Sequence, residues 1–349
     1  MPLPWSEILP AVGCGFSFIT VYTEAKILLR AKTIVPGCRQ KADFVDAPNR
    51  QIINRMSRDD HKLLALERGG HLAYAEYGEP AGAPVFFFHG WPSSRTMAEL
   101  TDGAARHLGV RIISPDRPGI CDSTFQPNRK LLNWPDLIRQ LAEHLQIAQF
   151  RILAISGGAP YAYATAWKMP QHVTRLAVVS GAPPIHELQD LKQLLGLYRL
   201  MLYCYRNYPR FSRLCFHWAR PILSLRPPRR ARPLLLKLLW LRPSEEAVLR
   251  DSAAFEACFE SQRRAWRASA AGVLADAEIY AQPWGFGLED VSVPVQLWHG
   301  KQDRAFSIRT AEQVAKRLPN CTTRLIENEG HYSTPIRHMH EILADLIAT

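Results

Sequence analysis

A strand-forming run that stops at a serine constrains this chain more than any other feature of its sequence. Residues Phe150–Ile155 are mostly apolar and β-prone, Ser156 follows at once, and two glycines then lead into an alanine-rich helical stretch. A strand that passes into a helix over one residue needs a tight turn, so the positions two before and two after the serine must be small. Ala154 and Gly158 meet this requirement. The pattern predicts a serine exposed on a sharp strand-to-helix turn.

Strands alternate with helices on both sides of this turn, which predicts an α/β fold with a doubly wound, mostly parallel sheet. Before the turn, we predict strands over 72–78, 84–88 and 110–114 and helices over 96–107 and 134–145. After it, we predict a helix to about residue 169, strands over 174–179, 293–298 and 322–326, and helices over 308–318 and up to 346. The continuous apolar run over 84–88 is typical of a strand that is buried on both faces.

The alternation is interrupted over residues 184–285, which contain no predicted strand and have several helical patterns punctuated by prolines and arginines. We predict that this segment is a helical cap inserted into a sheet domain formed by 61–183 and 286–349. Residues 1–60 are predicted to be an extension of uncertain structure. Within it, 8–22 is mostly apolar but falls short of the roughly 20 residues that a bilayer span needs, which favours a docked or interfacial helix over a membrane anchor.

The formal net charge of +11 is concentrated in the predicted cap. Residues 191–242 contain twelve Lys or Arg and no Asp or Glu. No recognised nucleic-acid-binding motif accompanies these charges, so we expect no nucleic-acid partner. The basic residues are interleaved with Leu, Tyr, Trp and Phe, which suits a membrane surface or the rim of an apolar pocket. Peripheral membrane contact is therefore an open alternative, carried by a basic group of Arg226, Arg229, Arg230 and Arg232.

The number and spacing of the cysteines indicate the cellular compartment and which cysteine-based sites to expect. The seven cysteines are scattered, odd in number and never spaced as Cys-x-x-Cys, which argues against a disulfide framework or a zinc site. The first residues lack the basic start of a secretory signal. We therefore predict a cytoplasmic protein, with membrane association as the alternative, and we expect neither a metal nor an organic cofactor.

Three polar side chains follow three separate predicted strands. Ser156 ends one strand, Asp303 lies five residues after Trp298, and His331 follows the last strand. Because the carboxyl ends of parallel strands meet at one edge of a sheet, these side chains can come together. Serine is a poor nucleophile until a base takes its proton, and an aspartate can hold the base in the right tautomer. The sequence predicts Ser156 as nucleophile, His331 as base and Asp303 as the orienting acid.

With these features the chain resembles the α/β-hydrolase superfamily, as a serine-nucleophile member with a helical cap, over roughly 70–183 and 286–349. The resemblance rests on segment 88–95 (Phe-His-Gly-Trp-Pro-Ser-Ser-Arg), the turn at Ser156, and the pair Asp303 and His331, in the chain order Ser, Asp, His that this fold uses. Segment 116–123 is similar to the family's Asp-Arg-Pro-Gly-x-Gly-x-Ser loop, with Cys121 where glycine is usual. That departure puts the local turn in doubt.

The resemblance also implies an oxyanion hole. The loop after strand 84–88 supplies one backbone donor in this fold, so we expect the N–H groups of Trp91 and Gly157 to bind the developing oxyanion. Gly90 would let the backbone approach closely. His89 is expected to brace the loop rather than to transfer protons.

Serine as the nucleophile favours acyl transfer, because relatives that open epoxides or remove halides use an aspartate there. The main expectation is a hydrolase that cleaves a carboxylic ester, or a related acyl bond, of a small apolar substrate through an acyl-enzyme. The acid-free segment 191–242 disfavours the proline-iminopeptidase branch, whose cap binds an amino terminus with acidic residues. Two alternatives stay open: a carbon–carbon bond hydrolase or lyase that uses the same three residues, and a non-catalytic receptor or scaffold with a hydrolase fold.

One further set of cap residues is too apolar to face water together. These residues are expected to line an acyl pocket or to pack on the core. They are Tyr198, Leu200, Met201, Leu202, Tyr203 and Tyr205.

Overall fold

The structure, a computed structural model, describes residues 61–238 and 241–348. The predicted extension 1–60, with the apolar stretch 8–22, lies outside the described residues. Eight strands form one sheet in the spatial order β1-β2-β4-β3-β5-β6-β7-β8. Their bounds are β1 Lys62–Ala65, β2 His71–Gly78, β3 Ala83–Phe88, β4 Val110–Pro115, β5 Phe150–Ile155, β6 Val173–Val179, β7 Val295–Gly300 and β8 Cys321–Ile326.

The sheet is mostly parallel, as predicted. Strand β2 runs antiparallel to both of its neighbours, β1 and β4. All other neighbouring pairs, from β4 and β3 to β7 and β8, are parallel. The carboxyl ends of β5 and β7 therefore lie at the same edge of the sheet, two positions apart in the strand order.

Helices cover both faces of the sheet, which confirms the doubly wound arrangement. The helices that belong to the sheet region are α1 Asp102–His107, α2 Trp134–His144, α3 Ala159–Lys168, α11 Ile308–Arg317 and α12 Ser333–Ile347. Helices α2, α3 and α11 contribute to the apolar core on one face, and α1 and α12 to the core on the other.

Strand β3 shows why the sheet is buried on both sides. Phe86 and Phe88 pack into the core with α2 and α3, whereas Val85 and Phe87 pack into the core with α12. All four side chains are almost completely buried. Since each such side chain contributes about 1.5–3 kcal/mol when it is fully buried, a strand of this composition is stable only between two helical layers.

The chain between β6 and β7 forms seven α-helices in its described part. They are α4 Gly196–Asn207, α5 Pro209–Leu223, α6 Arg232–Leu238, α7 Pro243–Leu249, α8 Ser252–Phe255, α9 Ser261–Ala268 and α10 Ala271–Tyr280. We call them the inserted helices. They occupy the segment for which a helical cap was predicted, while the exact division into domains stays a prediction.

Two local features differ from the sequence-based expectation. Strand β1 was not predicted, because its four residues lie at the sheet edge and only Leu64 is buried. The predicted helix over 96–107 divides into a 3₁₀ segment, Arg95–Thr101, and the α-helix α1.

The turn at Cys121 forms despite the missing glycine. Cys121 has a φ of 45°, in the left-handed region that glycine adopts freely and other residues at some cost. It is one of five cysteines in the described residues, all of them free thiols. Within the described ranges, none of the helices has the length and apolar character needed to cross a bilayer.

Candidate active site

Ser156 lies on a strained turn between β5 and α3. Its φ of 52° places a non-glycine residue in the left-handed region, a conformation that costs on the order of 1–3 kcal/mol and concentrates at functional sites. Gly158 is required here, because a Cβ at this position would lie 2.2 Å from the carbonyl oxygen of Phe88. Ala154, which stands where the motif usually has glycine, is completely buried in β5 and is accommodated.

The structure brings the three predicted side chains into one hydrogen-bonded chain. The Ser156 Oγ lies 3.0 Å from Nε2 of His331. The Nδ1 of the same imidazole lies 2.8 Å from Oδ2 of Asp303. The other carboxylate oxygen of Asp303 accepts hydrogen bonds from the backbone N–H groups of Ala305 and Phe306, at 2.7 and 3.1 Å. These two bonds fix the carboxylate, and the carboxylate orients the ring.

The pKa values of Asp303 and His331 shift in opposite directions. Burial alone would raise the pKa of Asp303, but the charge and hydrogen bond of His331 outweigh it, so the pKa is lowered. Burial alone would lower the pKa of His331, but the neighbouring carboxylate outweighs this effect and the pKa is raised above its ordinary value. Asp303 therefore stays ionised near neutral pH and favours a positive charge on the imidazole.

The segments of the two expected oxyanion donors lie side by side. A Cβ on Gly157 would lie 3.1 Å from the backbone nitrogen of Trp91 and 2.8 Å from its Cβ. A Cβ on Gly90 would lie 3.4 Å from the Cβ of Ser156. Glycine at 157 thus permits the close approach of the loop after β3, whereas a Cβ at position 90 would make only an ordinary van der Waals contact.

Comparison with known protein families identifies the family of this chain. The family model described as the alpha/beta hydrolase fold matches residues 83–334. The chain belongs to the alpha/beta hydrolase fold family. The matched range contains all three residues of the hydrogen-bonded chain and both expected donors.

Relatives of this alpha/beta hydrolase are similar in part of the sequence or in fold. The uncharacterized hydrolase YcgS from Bacillus subtilis (strain 168) is 32% identical over 113 residues, which cover 32% of this chain and 39% of that protein. The esterase EaEST from Exiguobacterium antarcticum is 16% identical, with a TM-score of 0.59, over 82% of this chain and 99% of that one. The thermophilic esterase from Thermogutta terrifontis is 20% identical, with a TM-score of 0.57, over 82% of this chain and 98% of that one.

The loop after β3, residues 89–92, carries the expected oxyanion donor Trp91, and we call it the donor loop. A buried arginine that the sequence analysis did not single out supports this loop. Arg117 donates to the carbonyl oxygens of His89 and Gly90, both at 2.7 Å, and through Nε to Asp276, also at 2.7 Å. His89 is completely buried, with Nδ1 3.0 Å from the carbonyl oxygen of Gly90, and burial lowers its pKa well below the ordinary value. A neutral His89 and a charged Arg117 thus both contact the loop that leads to Trp91.

Asp276 balances two buried guanidinium groups. It pairs with Arg117 and Arg129 and accepts a hydrogen bond from the Tyr161 hydroxyl at 2.7 Å. Burial alone would raise the pKa of this carboxyl, but the two arginines outweigh it and lower the pKa to about 2. Sequence reasoning missed Asp276, which is one of two carboxylates in the otherwise apolar α10 and the one that is buried.

Helix α10 contacts both of the segments that carry an expected oxyanion donor, at Gly157 and at Trp91. The Tyr280 hydroxyl donates to the carbonyl oxygen of Gly157 at 2.8 Å. The indole N–H of Trp91 donates to the carbonyl oxygen of Val273 at 2.9 Å. With Asp276, these residues are three and four positions apart, so they share one face of the helix. One inserted helix is therefore bonded to the serine turn, to the donor loop and to the arginine that supports that loop.

A cavity of about 700 Å³, partly open to solvent, adjoins Ser156. Its walls are mainly apolar and come from α4, α5 and α10 and from loop residues that include Trp91, Leu194 and Phe306. Four of the six apolar cap residues that were singled out from the sequence line it, namely Tyr198, Met201, Leu202 and Tyr205. Leu200 and Tyr203 are not among the lining residues.

Proposed function

We propose that this chain is a serine hydrolase that cleaves a carboxylic ester, or a related acyl bond, of a small apolar substrate. The observation that carries the proposal is the chain of contacts from the Ser156 Oγ through His331 to the buried carboxylate of Asp303, at 3.0 and 2.8 Å. A serine hydroxyl within hydrogen-bond reach of a base that a carboxylate orients is the arrangement that nucleophilic catalysis requires.

The first half-reaction forms an acyl-enzyme. Neutral His331 takes the proton from Ser156 as the serine oxygen attacks the carbonyl carbon, and the Asp303 carboxylate stabilises the resulting imidazolium. The carbonyl oxygen becomes an oxyanion that receives hydrogen bonds from the N–H groups of Trp91 and Gly157, and one such donor typically contributes about 2.7–4 kcal/mol to the transition state. The imidazolium then gives its proton to the leaving alcohol, and the C–O bond to that alcohol breaks.

The second half-reaction releases the acid. His331 takes a proton from a water molecule, the water oxygen attacks the acyl carbon, and the same donors hold the second oxyanion. Return of the proton from His331 to the oxygen of Ser156 breaks the acyl–serine bond and restores the enzyme. The mainly apolar lining of the adjoining cavity supports an apolar acyl group as the bound part of the substrate.

The test is turnover of a panel of p-nitrophenyl esters of increasing acyl length by wild type and by Ser156→Ala. We expect the variant to lose about 10⁴-fold or more in kcat/KM, because without the nucleophile only binding and the oxyanion donors remain. Ser292→Ala, at an exposed position before β7, is the matched control and should leave turnover unchanged. Turnover by Ser156→Ala equal to that of wild type would place the nucleophile elsewhere.

The panel also separates the related chemistries. An N-acyl lactone belongs in it, because Est816, described as an N-acyl homoserine lactone degrading enzyme, matches with a TM-score of 0.58 at 15% identity over 82% of this chain and all of that one. A β-diketone tests carbon–carbon bond cleavage by the same serine. Turnover of the diketone without turnover of any ester would replace ester hydrolysis by that alternative.

A further inference from the structure

The inserted helix α5 has one face that lines the cavity and an apolar face that is exposed. Ser212 and Phe216 are buried and line the cavity. On the outer side, Phe211, Leu214 and Trp218 are exposed by 54%, 41% and 65% of their surfaces. Their spacing of three and four residues places them in one stripe along the helix.

Exposed apolar side chains are concentrated in this part of the molecule. Among the described residues, seven of the nine large apolar side chains with high exposure lie between positions 195 and 234. Isolated exposed apolar residues are common on protein surfaces, whereas a group of them indicates an interaction site for a protein, a membrane or a ligand. The outer stripe of α5 contains the two most exposed of them, Trp218 and Phe211.

A second stripe of basic and imidazole side chains runs beside the first. Arg210, Arg213 and His217 are exposed and have the same spacing of three and four residues. Arg213 forms an ion pair with Glu278 at 3.0 Å, whereas Arg210 has no ion-pair partner among the residues that the structure describes. Segment 191–242 contains no Asp or Glu, so no acid within it offsets these charges.

We propose that the outer surface of α5 docks on a lipid bilayer that carries anionic headgroups. We call the set of Arg210, Phe211, Arg213, Leu214, His217 and Trp218 the α5 surface. A helix that carries Trp, Phe and Leu beside basic residues can lie in the membrane interface, with the apolar side chains at the acyl boundary and the cations at the phosphates.

The size of the apolar stripe favours a bilayer over a second copy of the chain. Its three side chains together expose roughly 300–400 Å², whereas a stable protein–protein interface buries about 800 Å² on each partner. The surrounding positive charge would also repel the same surface of a second copy, but it complements an anionic membrane. Docking would bring a wall of the cavity next to the lipid, because Ser212 and Phe216 belong to the same helix.

The test is sedimentation of the full chain with vesicles of phosphatidylcholine, with and without phosphatidylglycerol. We expect binding to the anionic vesicles that weakens steeply as salt rises, because the attraction is screened within a Debye length. Arg210→Gln should weaken binding about fivefold, the usual contribution of one basic residue near a charged bilayer. Trp218→Ser should weaken it about tenfold, through loss of apolar area from the interface.

Matched controls lie elsewhere on the molecule. Leu63→Ser removes a side chain of similar exposure from the edge strand β1, and Arg139→Gln removes an exposed charge from α2. Both should bind vesicles like wild type. All four variants keep residues 1–60, so a difference between them belongs to the substituted surface.

Three results would overturn the proposal. One is absence of vesicle binding by wild type, and another is equal binding by wild type, Arg210→Gln and Trp218→Ser. The third is a dimer that Trp218→Ser dissociates without any vesicle binding, which would assign the α5 surface to a second copy. None of these outcomes depends on hydrolysis, so docking and the proposed function fail separately.

Discussion

Replacing Asp276 with asparagine removes one negative charge from between two buried guanidinium groups. Asp276 is completely buried, and the side chains of Arg117 and Arg129 are exposed by only 1% and 4%. Asparagine fits the same volume. Its amide N–H groups would, however, face the guanidinium N–H groups that donate to the carboxylate in the wild type. Removing one partner of a buried ion pair typically costs about 3–5 kcal/mol, since the remaining charge stays buried without compensation. We therefore expect the midpoint of thermal unfolding to fall by about 6–10 °C.

The same substitution should change the acid dependence of stability. The pKa of Asp276 is lowered to about 2 in the folded state, below the roughly 3.9 of an unfolded chain. Its ionisation therefore stabilises the fold above about pH 4, and this contribution is lost as pH falls through the folded-state pKa. The stability of Asp276→Asn should therefore lack the part of the pH dependence that comes from protonation of Asp276.

Turnover should fall together with stability. Arg117 would lose its carboxylate partner while it still holds the carbonyl oxygens of His89 and Gly90, next to the donor at Trp91. A displaced donor can cost up to about 2.7–4 kcal/mol, so we expect kcat to decrease ten- to a hundredfold with little change in KM. A purely structural role would lower the unfolding midpoint without this loss of kcat in the folded variant.

Calorimetry and ester kinetics well below the unfolding midpoint measure both effects. The matched control is Asp136→Asn, whose partner Lys168 lies 2.9 Å away on the surface, where an ion pair contributes at most about 1 kcal/mol. An Asp276→Asn variant with the unfolding midpoint and kcat of wild type would refute the reasoning.

Two further predictions concern the site itself. Because the pKa of His331 is raised by Asp303 and the base must be neutral, kcat/KM should fall as pH decreases through an apparent pKa above about 6.5. Asp303→Asn should move this limb to lower pH and decrease kcat by about 10³–10⁴-fold, whereas an unmoved limb in that variant would exclude His331 as the titrating group. Gly157→Ala would place a Cβ 2.7 Å from the Tyr280 hydroxyl and 2.8 Å from the Trp91 Cβ, so we expect at least about tenfold lower kcat and a loss of about 1–3 kcal/mol in stability. Unchanged ester kinetics in Gly157→Ala would contradict the assignment of this oxyanion donor.

The sheet was predictable from the sequence because its central strands are buried on both faces and therefore leave long apolar runs. The carboxyl-end rule then predicted that Ser156, Asp303 and His331 could meet, without any knowledge of the helices between them. Strand β1 was missed because an edge strand with one buried side chain has no such run.

The contacts that support the donor loop could not be predicted from local sequence patterns. Arg117 and Asp276 are 159 residues apart, and their pairing depends on how α10 packs over the sheet edge. The cavity residues of α4 were only partly predictable for a related reason. Tyr198, Met201, Leu202 and Tyr205 follow helical spacing and face the cavity, whereas Leu200 and Tyr203 lie off that face, a distinction that requires the position of α4.

The central claim is that Ser156 is an activated nucleophile, and labelling with a serine-reactive fluorophosphonate tests it most directly. The reagent forms a covalent bond only with a serine oxygen that a neighbouring base activates, and here that base is His331 at 3.0 Å. After labelling and proteolysis, mass mapping should find one modified peptide, which carries the adduct on Ser156, and Ser156→Ala should remain unlabelled. An unlabelled wild type would favour a non-catalytic scaffold, and an adduct on another serine would contradict the proposed site.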